Sequence, residues 1–136
     1  MITVQTQVNA PLETVWEYWT NPKHVLHWNH ASADWHTTKA TNQLELHGTF
    51  CYTMAAKDGS FSFDFGGQYT LINPQKNLHF TLADHRTVQI AFENTPNGVI
   101  ITETFEPENQ NSHELQQAGW QAILDNFKNY TEQTQN

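Results

Sequence analysis

Two groups of residues in this chain have types and spacings that could do chemistry. The stretch HVLHWNHASADWH, residues 24–36, holds four of the eight histidines and two of the five tryptophans. His24 and His27 stand three apart on a predicted helix and could share a face, and His30, His36 or Asp34 could complete a metal set. Metal histidines usually come as tighter signatures such as H-E-x-x-H, which does not occur here, so neither a metal nor a cofactor is expected. The second group is made of ionisable residues inside apolar, strand-like runs: Asp64, Glu103 and Arg86, the sole arginine. An inward carboxylate in a dry pocket has a raised pKa and can act as a general acid or base. Asp64 alternates with Phe63 and Phe65 and should point outward, whereas Glu103 keeps the phase of Val99, Ile101 and Phe105, which brings it inward if that phase is the buried one. Glu103 is thus the one catalytic candidate. No nucleophile elbow or Gly-rich phosphate loop is present, and Gly66-Gly67 is too short to cradle a phosphate.

The elements that must position these residues follow from hydrophobic period. ITVQTQV, residues 2–8, alternates as a half-buried strand. In NAPLETVWEYW, Asn9 can cap a short helix with Pro11 in its first turn and Leu12, Val15, Trp16 and Trp19 on one face. Asn21 and Pro22 open a second short helix that should end near His27. From about residue 34 to about residue 106 the pattern is a run of antiparallel hairpins. Its strands read as 34–39, 48–56, 61–72, 78–83, 87–93 and 98–106, with ATNQLEL as a connection and a bulge or bend at Gly66-Gly67. Ser112 caps a long final helix with Leu115, Trp120, Ile123, Leu124, Phe127 and Tyr130 as its apolar stripe, and the tail TEQTQN should fray. No linker or repeat divides residues 1–136, so one domain is expected.

Composition narrows the partners. Fourteen acids against six bases give a net charge of -8, which argues against nucleic acid, since a phosphate backbone calls for clustered Lys and Arg. Cys51 stands alone, so no intramolecular disulfide is possible and a cytoplasmic setting is the simple inference. No leader pattern and no spanning run of apolar residues is visible, so membrane insertion is not expected. An antiparallel sheet with one aromatic face must be covered by the long helix, and a curled sheet that the helix does not fill leaves a ring-lined cavity.

Three motifs carry a resemblance that spans nearly the whole chain. VNAPLETVWEYWTNPKHVLHW resembles the opening signature APxExVWxxxTxPxxxxxW of START-like, helix-grip proteins, the SRPBCC group. GTFCYTMAAKDGSFSFDFGGQYTLINPQKNLHFTL is similar to the middle of the branch named after the activator of heat-shock protein 90 ATPase. GWQAILDNFKNYTE, residues 119–132, is similar to that branch's ending, GWxxxLxxLxxxLE, while LELHGTF keeps only Gly48 and Phe50 of the family's PGGxF element.

The resemblance implies an α+β fold: a curved antiparallel sheet of about seven strands wrapped on a long C-terminal helix, with two short helices after the first strand. It also implies that Trp28 and Trp35 lie at the cavity mouth as walls or gate, with His24, His27 and His30 as rim residues whose charge tunes access. Alternation puts Phe50, Tyr52, Met54, Phe61, Phe63, Phe65, Tyr69, Phe80, Ile90 and Phe92 inward, facing Trp120, Ile123 and Phe127. All of these except Phe61 and Ile90 join Trp28 and Trp35 as expected ligand contacts. Relatives on this fold carry lipids, sterols or polyketide-like compounds, so the leading expectation is a non-catalytic module for a small hydrophobic molecule. A cyclase- or hydrolase-type enzyme using Glu103 is the alternative. Regulation of the chaperone's ATPase ranks third, because that role belongs to larger proteins with a partner domain for which this chain has no room. Sequestration of a toxic compound or stress resistance would be a use of the first reading. A monomer or a weak homodimer through an edge strand such as ITVQTQV is expected.

Overall fold

The computed structural model describes residues 1–134 as seven strands and three helices. In chain order these are β1 (Ile2–Val8), α1 (Leu12–Thr20), α2 (Pro22–Trp28), β2 (Trp35–Asn42), β3 (Thr49–Ala56), β4 (Ser62–Asn73), β5 (Asn77–Leu82), β6 (Thr87–Thr95), β7 (Gly98–Phe105) and α3 (His113–Thr134). All strands form one antiparallel sheet in the order β1-β7-β6-β5-β4-β3-β2, curled into a half-barrel. β1 reaches the far edge by pairing with β7, so the first and last strands lie side by side.

Alternation decides which face is wet. β7 buries Val99, Ile101, Glu103 and Phe105 and leaves their neighbours half exposed, and β5 and β6 bury Leu78, Phe80, Leu82, Val88, Ile90 and Phe92 in the same phase. α3 lies against β1 with α1 and α2 beside it, and it approaches no other strand as closely. The helix therefore fills only one side of the concave face. Leu124, Phe127 and Thr131 of α3 are fully buried, Phe127 against Trp19 and Trp28 of the short helices.

Several local features depart from the sequence expectation. Asn9 does not cap α1: Pro11 holds the cap position with no side-chain bond, and the Asn9 amide donates to Glu132 Oε2 at 2.8 Å instead. Asn21 does cap α2, accepting from the Lys23 amide at 3.0 Å, and Ser112 Oγ caps α3 by accepting from the Leu115 amide at 3.1 Å. The segment Ala40 to Asn42 belongs to β2 rather than to a connection, because it pairs with Cys51 and its neighbours after a bulge at Thr38. Gly66-Gly67 makes no bulge. Its register with β3 is regular and the irregularity falls between Tyr69 and Leu71. The pair is needed for close approach, since a Cβ on Gly66 would stand 2.6 Å from the Phe50 carbonyl oxygen and one on Gly67 2.7 Å from that of Thr81. Thr131 to Thr134 continue the helix rather than fraying, anchored by the buried Thr131, while Gln135 and Asn136 lie outside the described residues. Among the described residues no helix is long and apolar enough to cross a membrane.

Candidate functional site

The part of the concave face that α3 does not fill is a cavity of about 380 Å³. Strand alternation supplies its wall: Phe50, Tyr52 and Met54 from β3, Phe63, Phe65 and Tyr69 from β4, Leu78 and Phe80 from β5, Ile90 from β6 and Glu103 from β7. Gln116, Trp120 and Ile123 of α3 close it from above, Trp19, Trp28 and Asn29 border it from the short helices, and Arg86, Glu108 and Asn111 complete the lining from loops. Phe50 is the hub of the rings, with centroids 4.8 Å from Phe80, 5.1 Å from Tyr52, 5.5 Å from Tyr69 and 5.8 Å from Phe65. Trp120 lies flat on Phe105 at 3.9 Å and meets Phe65 edge-on at 5.9 Å. Ring contacts at these separations are favourable beyond the area they bury, so the aromatic part of the wall is a connected cluster.

The polar groups in this wall divide into tied and untied. Tyr69 donates to Asn42 Oδ1 at 2.7 Å, and Asn42 in turn donates to the Thr20 carbonyl at 2.7 Å. Gln116 accepts from the Glu108 amide at 2.9 Å and donates to the carbonyls of Glu108 and Asn111, which ties the β7–α3 loop to the helix. Arg86 is held by Asp84 at 2.7 Å and by the Glu106 carbonyl at 3.4 Å. Neither Glu103 nor the Tyr52 hydroxyl makes a hydrogen bond to another described residue, although Glu103 is only 5% exposed. Its register partners are Val4 and Ile90, so no cation stands across from it, and loss of water pushes its carboxyl up to about 8. Burial also pushes the Tyr52 hydroxyl well above its ordinary range.

Some of the residues expected at the site lie elsewhere. Phe92 and Phe127 are not in the cavity wall: Phe92 packs against Trp16 and Trp19, and Phe127 is sealed between Trp19 and Trp28 at 4.9 Å from each. Trp35 lines a neighbouring apolar groove of about 320 Å³ with Leu115, which adjoins the cavity through Met54, Phe63, Trp120 and Ile123. Phe61 is outside as well, 60% exposed just before β4 and in contact with Trp35 and Phe63. Trp28 borders the cavity as part of its wall. Its Nε1 donates to the Tyr18 carbonyl at 3.0 Å and its ring stacks on Trp19 at 4.8 Å.

The histidines are not rim residues either. His24 shares a 2.6 Å hydrogen bond with the Tyr130 hydroxyl and stacks on Tyr18, His27 stacks on Tyr130, and His30 is absent from the lining, its carbonyl bonded by Asn126. Burial lowers the pKa of both His24 and His30. Among the described residues no three of the His, Cys, Asp and Glu side chains come together around a metal position. Sequence reasoning passed over Trp19, Asn29, Leu78 and Gln116 as lining. The helical spacing of Trp19 places it on the apolar face of α1 without telling wall from core, whereas nothing local marks Gln116.

A curled antiparallel sheet gripping a long C-terminal helix over a ring-lined cavity defines the helix-grip, START-like class. Within it the chain belongs to the family described as Activator of Hsp90 ATPase homolog 1-like protein, whose model matches residues 9–132. The solution structure of an AHSA1-like protein from Aeromonas hydrophila is 43% identical, with a TM-score of 0.91 over 97% of this chain and 92% of that one. That of Chr148 from Cytophaga hutchinsonii is 50% identical, with a TM-score of 0.84 over the same shares. Protein NE0264 from Nitrosomonas europaea, at 17% identity and a TM-score of 0.82 over 97% of this chain and 94% of that one, shares the fold. No protein of curated function matches the chain.

Proposed function

We propose that the protein is a small-molecule binding module that holds a compact, mostly apolar, ring-bearing ligand between the sheet and α3, in a cytoplasmic setting. The observation that carries this reading is the cavity itself: about 380 Å³, walled by aromatic side chains locked against one another, with few polar groups left untied. That volume falls within the roughly 300–1,000 Å³ typical of ligand sites. The adjoining groove, with exposed Phe63 and Leu115 on its sides, offers an apolar approach. Of the thirteen residues expected to touch a ligand, we retain Trp28, Phe50, Tyr52, Met54, Phe63, Phe65, Tyr69, Phe80, Trp120 and Ile123 as contacts, and assign Trp35 to the approach.

The test is a titration of labelled protein with flavonoids, sterols and fatty acids, followed by NMR. Shifts confined to Trp120, Phe63 and Tyr69 are expected with at least one class; silence at all three across the panel would refute the module. A second reading, an acid–base enzyme, draws on Glu103 alone. A proton relay needs the same carboxyl to lie against a reacting atom, so Glu103→Gln should abolish any turnover found with a bound ligand while leaving binding measurable. The chaperone role in the family's name requires a surface for which no residue here speaks, and we do not extend it to this chain.

A further inference from the structure

The cavity wall has an asymmetry of charge. Its one buried carboxyl is that of Glu103, in a wall made mostly of rings. The elements around it bring nothing that would satisfy it: Val4 of β1 and Ile90 of β6 flank it in register, and α3 presents Gln116, Trp120 and Ile123. The other titratable groups of the cavity are Tyr52 and Tyr69, both kept neutral by burial, Arg86, which is committed to Asp84, and Glu108. No lining cation is free among the described residues, and the molecule as a whole carries a net charge of -8.

We propose that the cavity selects ring-bearing ligands that carry a protonated amine, the ammonium pairing with Glu103 while the rings of Tyr52, Phe65 and Trp120 face the rest of the molecule. This rests on the ligand-binding reading above and narrows it. A carboxylate enclosed by aromatic faces suits an ammonium twice over, through the ion pair and through the negative ring faces. The same surroundings disfavour an anionic ligand such as a fatty acid, whose carboxylate would leave water and find no cation to pair with. The acidic molecule also attracts cations at long range, so capture of the amine should slow as salt is raised.

Protonation gives the inference a signature of its own. Burial keeps Glu103 protonated near neutrality, and pairing with an ammonium ionises it, so each amine bound at pH 7 releases close to one proton to the buffer. As pH rises toward about 8 this release falls and the amine binds more tightly, whereas a neutral ligand shows neither effect.

The experiment compares three probes of one shape, naphthylmethylamine, naphthylmethanol and naphthoic acid, by calorimetry in two buffers of different ionisation enthalpy. Expected are binding of the amine at least about tenfold tighter than the alcohol, no binding of the acid, and proton release for the amine only. Glu103→Gln, which keeps the volume and removes the charge, should bring amine and alcohol to equal affinity. The proton count on the unmodified protein stands whether or not that variant folds. Equal binding of amine and alcohol, a preference for the acid, a preference that survives Glu103→Gln, or amine binding without proton release each overturns the inference and leaves the binding module standing. If the naphthyl probes and the broader panel all fail to bind, both fall together.

Discussion

At the scale of single residues, Glu103 shows how one position can obey the strand pattern and still work against stability. The inward phase of β7 requires an apolar residue between Ile101 and Phe105, and a carboxyl there is deprived of water with nothing in exchange. The unfolded chain releases this proton near 4.5, but the native state holds it until about 8. Stability is therefore greatest from this group below pH 4.5 and is lost as pH rises to about 8, by at most about 5 kcal/mol. Glu103→Gln should raise the midpoint of thermal unfolding at pH 8 and change it little at pH 5. An unchanged midpoint at pH 8 would mean that the carboxyl is hydrated. The position of Glu103 was legible in sequence because its phase matched Val99, Ile101 and Phe105. The roles of His24 and Trp28 were not, since their partners Tyr130 and the Tyr18 carbonyl are set by how three helices meet.

At the scale of elements, the edge strand β1 is closed by the helix above it. Gln121 takes both the amide and the carbonyl of Gln5, at 3.4 and 3.1 Å, Gln117 reaches the Thr3 carbonyl and Lys128 that of Gln7. These are the groups by which a second strand would add, so α3 guards the edge that ITVQTQV seemed to offer a dimer. Gln121→Ala should cost about 1 kcal/mol and introduce concentration-dependent association in sedimentation, at an edge where two backbone groups have lost their partner. A variant that stays equally stable and shows no new association would mean that those bonds are made as well by water. Strand period predicted six of seven strands to within a few residues, and Pro11, Asn21 and Pro22 placed the two short helices. The end of β2 was missed because Ala40-Thr41-Asn42 has no apolar period, and only pairing with β3 makes it a strand.

At the scale of the whole molecule, acid and alkali act on different groups. His24 and His30 have pKa values lowered by burial, so the stability they contribute is present above pH 6.5 and is lost as pH falls through their folded values. Glu103 acts in the opposite sense, losing stability up to about pH 8. Thermal unfolding followed from about pH 4 to about pH 9 should show a maximum at or below pH 6.5, with the alkaline fall removed in Glu103→Gln. A curve that climbs steadily from pH 6.5 to pH 8 would contradict the enclosed carboxyl.

The sequence by itself determined the order of elements, the inward face of each strand and the family, because period, caps and turn residues are local and repeat the same choice many times. Tertiary structure alone decided which inward rings border empty space. Phe92 and Phe127 carry the same pattern as Phe65 and Trp120, yet α3 lies over β1 and seals the first pair while leaving a chamber beside the second. A hydrophobic period records that a side chain leaves water; where the helix comes to rest decides whether protein or a ligand takes the water's place.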